Sequence, residues 1–139
     1  MKIYATHFPR VLGMVMALTA FSVQTAQMER PKSTQVLHSQ AGRATYYGPG
    51  FHGRKTASGE QFNQKALVAA HPSWPLGTVA RVTNLKNGKS ARVRIIDRGP
   101  AEWIQRRGVI IDLSLGTAQV LGFIKDGKVP VRIDVLRWG

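Results

Sequence analysis

The amino-acid sequence predicts a mainly β protein, a small closed barrel of about six short strands with one or two short helices. Residues 92–96 alternate between basic and apolar side chains, which is the period of a half-buried strand. Asn87-Gly88 is the pattern of a two-residue hairpin turn, and it joins residues 78–84 to residues 89–96. Short strands and turns recur to the end of the chain, and closing them into a barrel leaves no strand edge exposed.

The N-terminal residues predict export and do not extend the barrel pattern. Residues 1–26 have the features of a signal peptide, because two basic residues flank the start of an apolar stretch over residues 11–23. That stretch is shorter than the ~20 residues of a membrane-spanning helix, although an uncleaved anchor is the alternative interpretation. Residues 27–41 are polar and lack periodicity, which predicts a flexible linker. We therefore expect the folded domain to occupy residues 42–139.

The first half of this domain alternates short strands with loops that carry titratable side chains. Residues 43–47 are a β-type run that ends at a Gly-Pro-Gly turn. Residues 51–61 follow as a long polar loop that contains Glu60, and loops of this length are often functional. Residues 66–70 form a compact apolar strand with His71 at its end. A single histidine at a strand end is also compatible with a purely structural role.

The second half of the domain returns to short strands around one helix. After the central hairpin, residues 109–111 predict a buried strand. Ser114 is the predicted N-cap of a short helix, and Gly122 is its predicted stop. Residues 129–136 alternate between apolar and polar side chains and predict the last strand, on which we interpret Asp134 as a surface charge.

Asp97 is the acidic residue that the pattern singles out. It ends the strand over residues 92–96, and Gly99 and Pro100 prevent that strand from continuing. Functional side chains are often carried at such strand-to-loop edges. A turn role is the alternative, because an Asp before Arg-Gly-Pro can accept backbone N–H bonds. The chain has only seven acidic residues against 20 Lys and Arg, so few side chains are available for acid-base chemistry.

Composition excludes several functional classes. The chain has no cysteine, which excludes disulfides, thiolate zinc sites, a cysteine nucleophile and a lipid anchor on cysteine. We predict no metal and no cofactor, and we expect a monomer. The net charge of +13 would draw an exported protein to the anionic polymers of the cell wall. The basic residues are scattered and no nucleic-acid motif accompanies them, so no nucleic-acid partner is predicted.

Seven short motifs occur in order across residues 42–137. They are residues 53–60 (GRKTASGE), 69–71 (AAH), 75–78 (PLGT), 82–84 (VTN), 87–89 (NGK), 97–100 (DRGP) and 111–114 (IDLS). Each motif is weak alone, but together they resemble the rare lipoprotein A family of septal-ring lytic transglycosylases.

The resemblance implies a six-stranded double-psi β-barrel that acts on peptidoglycan glycan strands. It implies endolytic cleavage, preferentially of strands without stem peptides, that leaves 1,6-anhydromuramic acid ends. Matched motif by motif, the functional residues of the family fall on Glu60, His71 and Asp97. We expect a protein exported to the periplasm or cell envelope, without a lipid anchor and soluble after signal cleavage.

The implied chemistry gives each of these residues a role. Asp97 would be the general acid and base, and burial or a nearby Glu60 carboxylate would favour its protonated form. His71 would orient a carboxylate or bind the sugar. The predicted substrate-binding residues are Arg98 and the aromatic residues Tyr46, Tyr47, Phe51 and Trp74, whose rings can stack on sugar faces.

Two other functional classes and one structural role remain open at this point. An expansin-like domain would use the same barrel to bind or loosen wall glycan without cleaving it. A basic module that binds nucleic acid or lipid would tolerate loss of Asp97 and bind in a salt-sensitive manner. Asp112 is interpreted as structural, either a turn or cap acid or a partner for Arg98.

Overall fold

The computed structural model describes residue 13, residues 17–23 and residues 32–139. The predicted signal peptide, residues 1–26, and the first part of the predicted linker therefore lie largely outside the described residues. The chain divides into two units, Met1–Lys32 and Ser33–Gly139, and the second unit contains the strands and helices considered below. Within the described ranges, no helix is both long enough and apolar enough to cross a membrane.

In residues 33–139 the structure has six strands, two short α-helices and one 3₁₀ turn. They are β1 (His38–Tyr46), the 3₁₀ turn (Pro49–Phe51), β2 (Val68–Ala70), β3 (Val79–Asn84), β4 (Ser90–Asp97), α1 (Glu102–Gln105), β5 (Val109–Leu113), α2 (Leu115–Leu121) and β6 (Val129–Arg137). The strands close into a barrel in the order β1-β5-β2-β4-β3-β6. The predicted mainly β, six-stranded barrel is therefore confirmed.

Strand order explains why the barrel carries long connections. β1 pairs with β5 and β2 with β4 in parallel, whereas the other four neighbouring pairs are antiparallel. β5 lies between β1 and β2, and β2 lies between β4 and β5, so the segments that join these consecutive strands must each cross a strand. This six-stranded arrangement is the double-psi β-barrel. Two of its connections, residues 47–67 and residues 98–108, begin at the ends of β1 and β4.

Two apolar clusters follow from the alternation of side chains. On β4, Ala91, Val93 and Ile95 point into the barrel, where α2 and Phe123 help to fill the core. A second cluster lies outside the barrel wall; its members are Tyr47, Phe62, Val68, Ala70 and Ile96. The connection over residues 47–67 packs on this second cluster. That packing brings the predicted polar loop to the end of β4.

The first strand begins earlier than the sequence predicts. β1 starts at His38, and residues 38–41 pair antiparallel with residues 132–135 of β6. The predicted linker, residues 27–41, is therefore wrong over its last four residues. These residues are largely exposed and polar, so they carry no alternation signal, and only the long-range pairing with β6 makes them a strand.

The predicted helix cap is confirmed, whereas the predicted hairpin turn has a different length. The central hairpin forms, but Asn84 donates its N–H to Lys89 O and Gly88 donates to Asn84 O, so the loop comprises residues 85–88. The predicted two-residue turn is therefore wrong. Helix α2 begins as predicted, since Ser114 Oγ accepts the N–H of Thr117.

The sequence predicts that Asp134 is a surface charge, and this prediction is wrong. Its side chain is buried, and the whole residue is 3% exposed. Its carboxylate accepts hydrogen bonds from Ser39 (2.6 Å), Arg81 (3.1 Å) and Arg132 (3.3 Å). Burial alone would raise the pKa of Asp134, but these donors outweigh it and hold the pKa below its ordinary value. The residue is covered because β6 lies between β1 and β3.

We expect Asp134→Ala to lower the free energy of unfolding by about 2 kcal/mol, because two guanidinium groups lose a shared and buried partner. Asp126→Ala is the matched control, because Asp126 pairs with Lys86 at the surface and exposed pairs contribute at most ~1 kcal/mol. Urea unfolding followed by tryptophan fluorescence measures both. Equal losses in the two variants would contradict the structural role of Asp134.

Candidate active site

Asp97 ends β4 with its carboxylate held by three donors. The Tyr47 hydroxyl donates to Oδ2 at 2.8 Å, and the backbone N–H groups of Ala57 and Arg98 donate to Oδ1 at 2.9 Å each. Only the bond from Arg98 is the local turn contact that the sequence alternative proposed. The other two come from residues 50 and 40 positions away. The carboxylate is therefore oriented by tertiary contacts.

An open cavity of about 200 Å³ lies against this carboxylate. Its lining residues are Tyr47, Phe51, Arg54, Lys55, Thr56, Phe62 and Asp97. Phe51 is 45% exposed, and its ring meets the ring of Tyr47 edge to face at 5.3 Å. The cavity therefore combines an aromatic wall, two cations and one carboxylate, a mixture of apolar surface and a few polar groups that is typical of small-ligand sites.

Tyr47 remains a neutral donor beside Asp97. Burial raises the pKa of Tyr47 far above its ordinary value, and the hydrogen bond to Asp97 and the charges of Asp97 and Asp112 raise it further. The hydroxyl therefore keeps its proton over the whole physiological range. It continues to donate to Oδ2 of Asp97 under those conditions.

The loop over residues 53–62 is an ordered hairpin. Lys55 and Gln61 form an antiparallel bridge, and Thr56 N–H bonds to Glu60 O at 2.8 Å. Gly59, with φ +88°, supplies a left-handed conformation that the turn requires. Ser58 N–H then bonds to the carbonyl of Ile96 at 3.0 Å. This contact places the hairpin against the end of β4 and delivers the N–H of Ala57 to Asp97.

Glu60 lies on the other side of the same hairpin and contacts a different residue of β4. Its carboxylate makes a bidentate pair with Arg94, at 2.6 and 3.0 Å, and accepts the Ser58 hydroxyl at 3.1 Å. The hydrogen bonds from Arg94 and then Ser58 lower the pKa of Glu60. Of the two alternatives that the sequence left open for Asp97, burial or a nearby Glu60 carboxylate, the second is not seen, because the Glu60 carboxylate pairs with Arg94.

A second cavity, of about 160 Å³, is lined by this ion pair. Its lining residues are Glu60, Gln61, Asn63, Ala66, Val68, Arg94 and Ile96. Ile96 lines the second cavity, and Asp97, the next residue of β4, lines the first. Both cavities are lined by residues of the hairpin.

His71 is buried and both of its ring nitrogens are engaged within the protein. Nδ1 accepts the N–H groups of Ser73 (3.2 Å) and Trp74 (3.0 Å), so the proton lies on Nε2, which donates to Gln40 Oε1 at 3.0 Å. The ring stacks on Trp74 at 4.0 Å. Burial, and then the charges of Arg98 and His38, lower the pKa of His71 to about 4. His71 is therefore a neutral imidazole whose hydrogen bonds stabilise the conformation of residues 71–74.

Two of the five predicted substrate-binding residues line the cavity beside Asp97, and three do not. Tyr47 and Phe51 line the cavity beside Asp97. Tyr46 instead donates its hydroxyl to the Ile124 carbonyl, and Trp74 is 7% exposed and belongs to the barrel core. The Arg98 guanidinium donates to the carbonyls of His71 and Trp74, at 3.3 and 2.7 Å, and so braces that loop.

Sequence reasoning missed Arg94 and the hydroxyl of Tyr47 as parts of this site. Alternation places Arg94 on the exposed face of β4, but its partner Glu60 is 34 residues away and no local pattern connects them. In the part of the chain that the structure describes, no three His, Asp or Glu side chains cluster as metal ligands would.

Curated relatives share this domain. The chain is 46% identical over 109 residues to "Endolytic peptidoglycan transglycosylase RlpA" of Campylobacter jejuni, which covers 78% of this chain and 38% of the relative. It is 43% identical over 137 residues to "Probable endolytic peptidoglycan transglycosylase RlpA" of Synechocystis, which covers 96% of this chain and 41% of the relative. The chain thus spans about two fifths of the length of these curated relatives.

Solved structures share the barrel at lower sequence identity. The Streptomyces papain inhibitor superposes with a TM-score of 0.58 at 22% identity, over 73% of this chain and 97% of the inhibitor. An expansin of Clavibacter michiganensis, in its apo form, superposes with a TM-score of 0.55 at 25% identity, over 72% of this chain and 51% of the expansin. These likenesses support the fold.

The family assignment rests on a match that spans the barrel. Residues 39–133 match the family described as "Lytic transglycolase", from β1 into β6. The match includes Glu60, His71 and Asp97 and both cavities. This chain therefore belongs to the lytic transglycolase family.

Proposed function

We propose that this protein is an endolytic peptidoglycan lytic transglycosylase in which Asp97 is the acid and base. The observation that carries the proposal is the Asp97 carboxylate, oriented by three donors at the wall of an open cavity with the exposed ring of Phe51. The names of the relatives support the substrate class. Because that substrate lies in the cell envelope, the proposal also requires export.

Asp97 serves both halves of the reaction. In its protonated form it gives its proton to the glycosidic oxygen while the bond from that oxygen to C1 of the muramoyl residue breaks. The C6 hydroxyl of the same residue then attacks C1 and returns its proton to Asp97. A 1,6-anhydro ring forms, no water is consumed and the side chain regains its starting state. Tyr47 and the N–H groups of Ala57 and Arg98 stabilise the carboxylate between the two transfers.

The cations of the first cavity support a preference for strands without stem peptides. A muramoyl residue that lacks its peptide presents a free lactyl carboxylate, whereas an attached peptide converts that carboxylate into an amide. Arg54 and Lys55 line the cavity beside Asp97 and can pair with the free carboxylate. Phe51 offers a ring face for the sugar itself.

Product analysis tests the reaction class. We would incubate the purified protein with glycan strands cleared of stem peptides, and in parallel with intact peptidoglycan, and analyse the fragments by mass spectrometry. We expect 1,6-anhydromuramic ends, which lack one water relative to hydrolytic ends. Reducing ends with the added water would make the protein a hydrolase. Glycan binding by folded protein without any fragments would favour the expansin-like alternative.

We expect Glu60→Gln to lower kcat/KM about tenfold or more, because the amide loses the charge-assisted pair with Arg94 that forms one wall of the second cavity. Glu102→Gln is the matched control, since Glu102 makes an exposed pair with Arg106 on α1. Rates on peptide-free strands measure both variants. If the two variants have the same rate, Glu60 is a surface ion-pair residue and the second cavity does not bind the glycan.

A further inference from the structure

Asp112 is a partly buried carboxylate close to Asp97 that the proposed mechanism does not use. Ala70 of β2 pairs with Asp97 of β4 on one side and with Asp112 of β5 on the other. The two aspartates therefore stand one strand to either side of the same residue, roughly 10 Å apart between their backbones. Ile111 and Leu113 point into the barrel, so Asp112 points outward, towards the cluster that contains Ala70 and Tyr47.

Tyr47 lies within the electrostatic influence of both carboxylates. Its hydroxyl donates to Asp97, and the charges of both Asp97 and Asp112 raise the pKa of Tyr47. Ala70, on the strand between the two aspartates, is fully buried. Charges separated by such poorly solvated protein interact more strongly than they do in water.

The structural roles expected of Asp112 belong to other groups. Helix α2 is capped by the hydroxyl of Ser114, and the guanidinium of Arg98 bonds to backbone carbonyls. Asp112 accepts the hydroxyl of Thr45 at 3.1 Å, and within residues 32–139 it has no ion-pair partner. A partly buried carboxylate without a cation is destabilised when it ionises.

The proton affinity of Asp112 agrees with this environment. Burial raises its pKa, the hydrogen bond from Thr45 opposes the rise, and the charge of Asp97 adds to it, which brings the pKa to about 6. The groups that face Asp112 are Asp97 from β4 and Thr45 and Tyr47 from β1 and its end, while β2 offers only the methyl group of Ala70.

We propose that Asp112 and Asp97, which stand on either side of Ala70, form an electrostatically coupled carboxylate pair. Asp112 is then a positioning residue that keeps Asp97 able to carry the proton of the reaction. The catalytic part of this inference rests on the proposed function. Two neighbouring carboxylates resist double ionisation, so a charge on one favours the protonated form of the other. Asp112 undergoes no net change in a turnover, because the proton that Asp97 gives to the leaving oxygen returns from the C6 hydroxyl.

A titration that does not depend on activity tests the pair. We would label the aspartate carboxyl carbons with ¹³C in the full chain, assign Asp112 with Asp112→Asn, and follow its signal with pH. In Asp97→Asn the midpoint of Asp112 should fall by about one pH unit, the effect of removing a unit charge ~10 Å away at an effective dielectric constant of about 20. Asp126→Asn, which changes an exposed surface carboxylate, should leave it unchanged. An Asp112 midpoint that Asp97→Asn does not move overturns the pair.

The pH profile of the reaction tests the role of Asp112. In Asp112→Asn, the limb on which kcat/KM falls with rising pH should move about one unit towards lower pH. Asp112→Glu should restore the profile in part, and Asp126→Asn should match wild type. A loss that is equal at every pH, or a profile identical to wild type, overturns the role. If wild type releases no anhydro ends, the proposed function and this role both fail, and the titration alone decides whether the carboxylates are coupled.

Discussion

Asp97→Asn is expected to abolish the release of 1,6-anhydromuramic ends, with kcat/KM reduced about 10³-fold or more. The amide has the size of the carboxylate but cannot exchange a proton near neutral pH. Its oxygen can still accept the N–H groups of Ala57 and Arg98, and its NH₂ group can donate to the Tyr47 hydroxyl, so the contacts of the site survive. The loss should therefore be in chemistry and not in folding.

Two further measurements make this result decisive. The melting temperature of Asp97→Asn and its binding to insoluble wall glycan should both stay close to wild type. Asp126→Asn, which alters an exposed carboxylate paired with Lys86, should cleave at the wild-type rate. Cleavage by Asp97→Asn at the wild-type rate would remove Asp97 from the mechanism. Binding lost together with cleavage would instead indicate that the side chain is needed to hold the glycan.

The stability of the domain is expected to fall by about 3 kcal/mol between pH 6.5 and pH 4 through His71 alone, since each unit of pKa difference corresponds to ~1.4 kcal/mol. The pKa of His71 is about 4 in the folded protein, because of burial and then of Arg98 and His38. The unfolded chain binds the proton near pH 6.5. The contribution is therefore complete above pH 6.5, declines as the pH falls and is lost below pH 4.

His71→Gln should remove this pH dependence, and it should lower stability at neutral pH by about 2 kcal/mol through the loss of a stacked ring and of its hydrogen bonds with Ser73, Trp74 and Gln40. Asp112 contributes with the opposite sign, because its raised pKa favours folding as the pH falls, so the difference between wild type and variant is the quantity to compare. Urea unfolding at pH 7.5 and pH 4.5 measures it, with His52→Gln, a change at an exposed ring, as control. Equal pH slopes for wild type and His71→Gln would contradict the buried neutral imidazole.

The same variant also tests the catalytic role of His71 that the family resemblance implies. At pH 7.5 the folded fraction of His71→Gln can be assayed on peptide-free glycan strands. A structural imidazole predicts activity in proportion to folded protein, because the ring nitrogens bond to Ser73, Trp74 and Gln40 within the protein. Loss of activity from fully folded protein would show a direct role.

The sequence by itself was sufficient for the barrel class and for the position of Asp97. The alternation on β4, the cap at Ser114 and the end of β4 before Gly99 and Pro100 all depend on residues within a few positions of one another. The physical reason is that side-chain period, helix capping and glycine or proline backbone preferences act locally. Features with such local causes can be predicted from the sequence without knowing which strands are neighbours.

Only the tertiary structure decided what surrounds Asp97. The donor Tyr47 lies 50 residues away, Glu60 turned to Arg94 instead of Asp97, and Asp112 became a neighbour across Ala70. The burial of Asp134 was likewise decided by the tertiary structure, because β6 pairs with both β1 and β3. Burial and proton affinity are set by the pairing of strands distant in sequence, and the same alternating pattern is compatible with many such pairings. The chemistry of each carboxylate therefore depends on which strands close the barrel beside it.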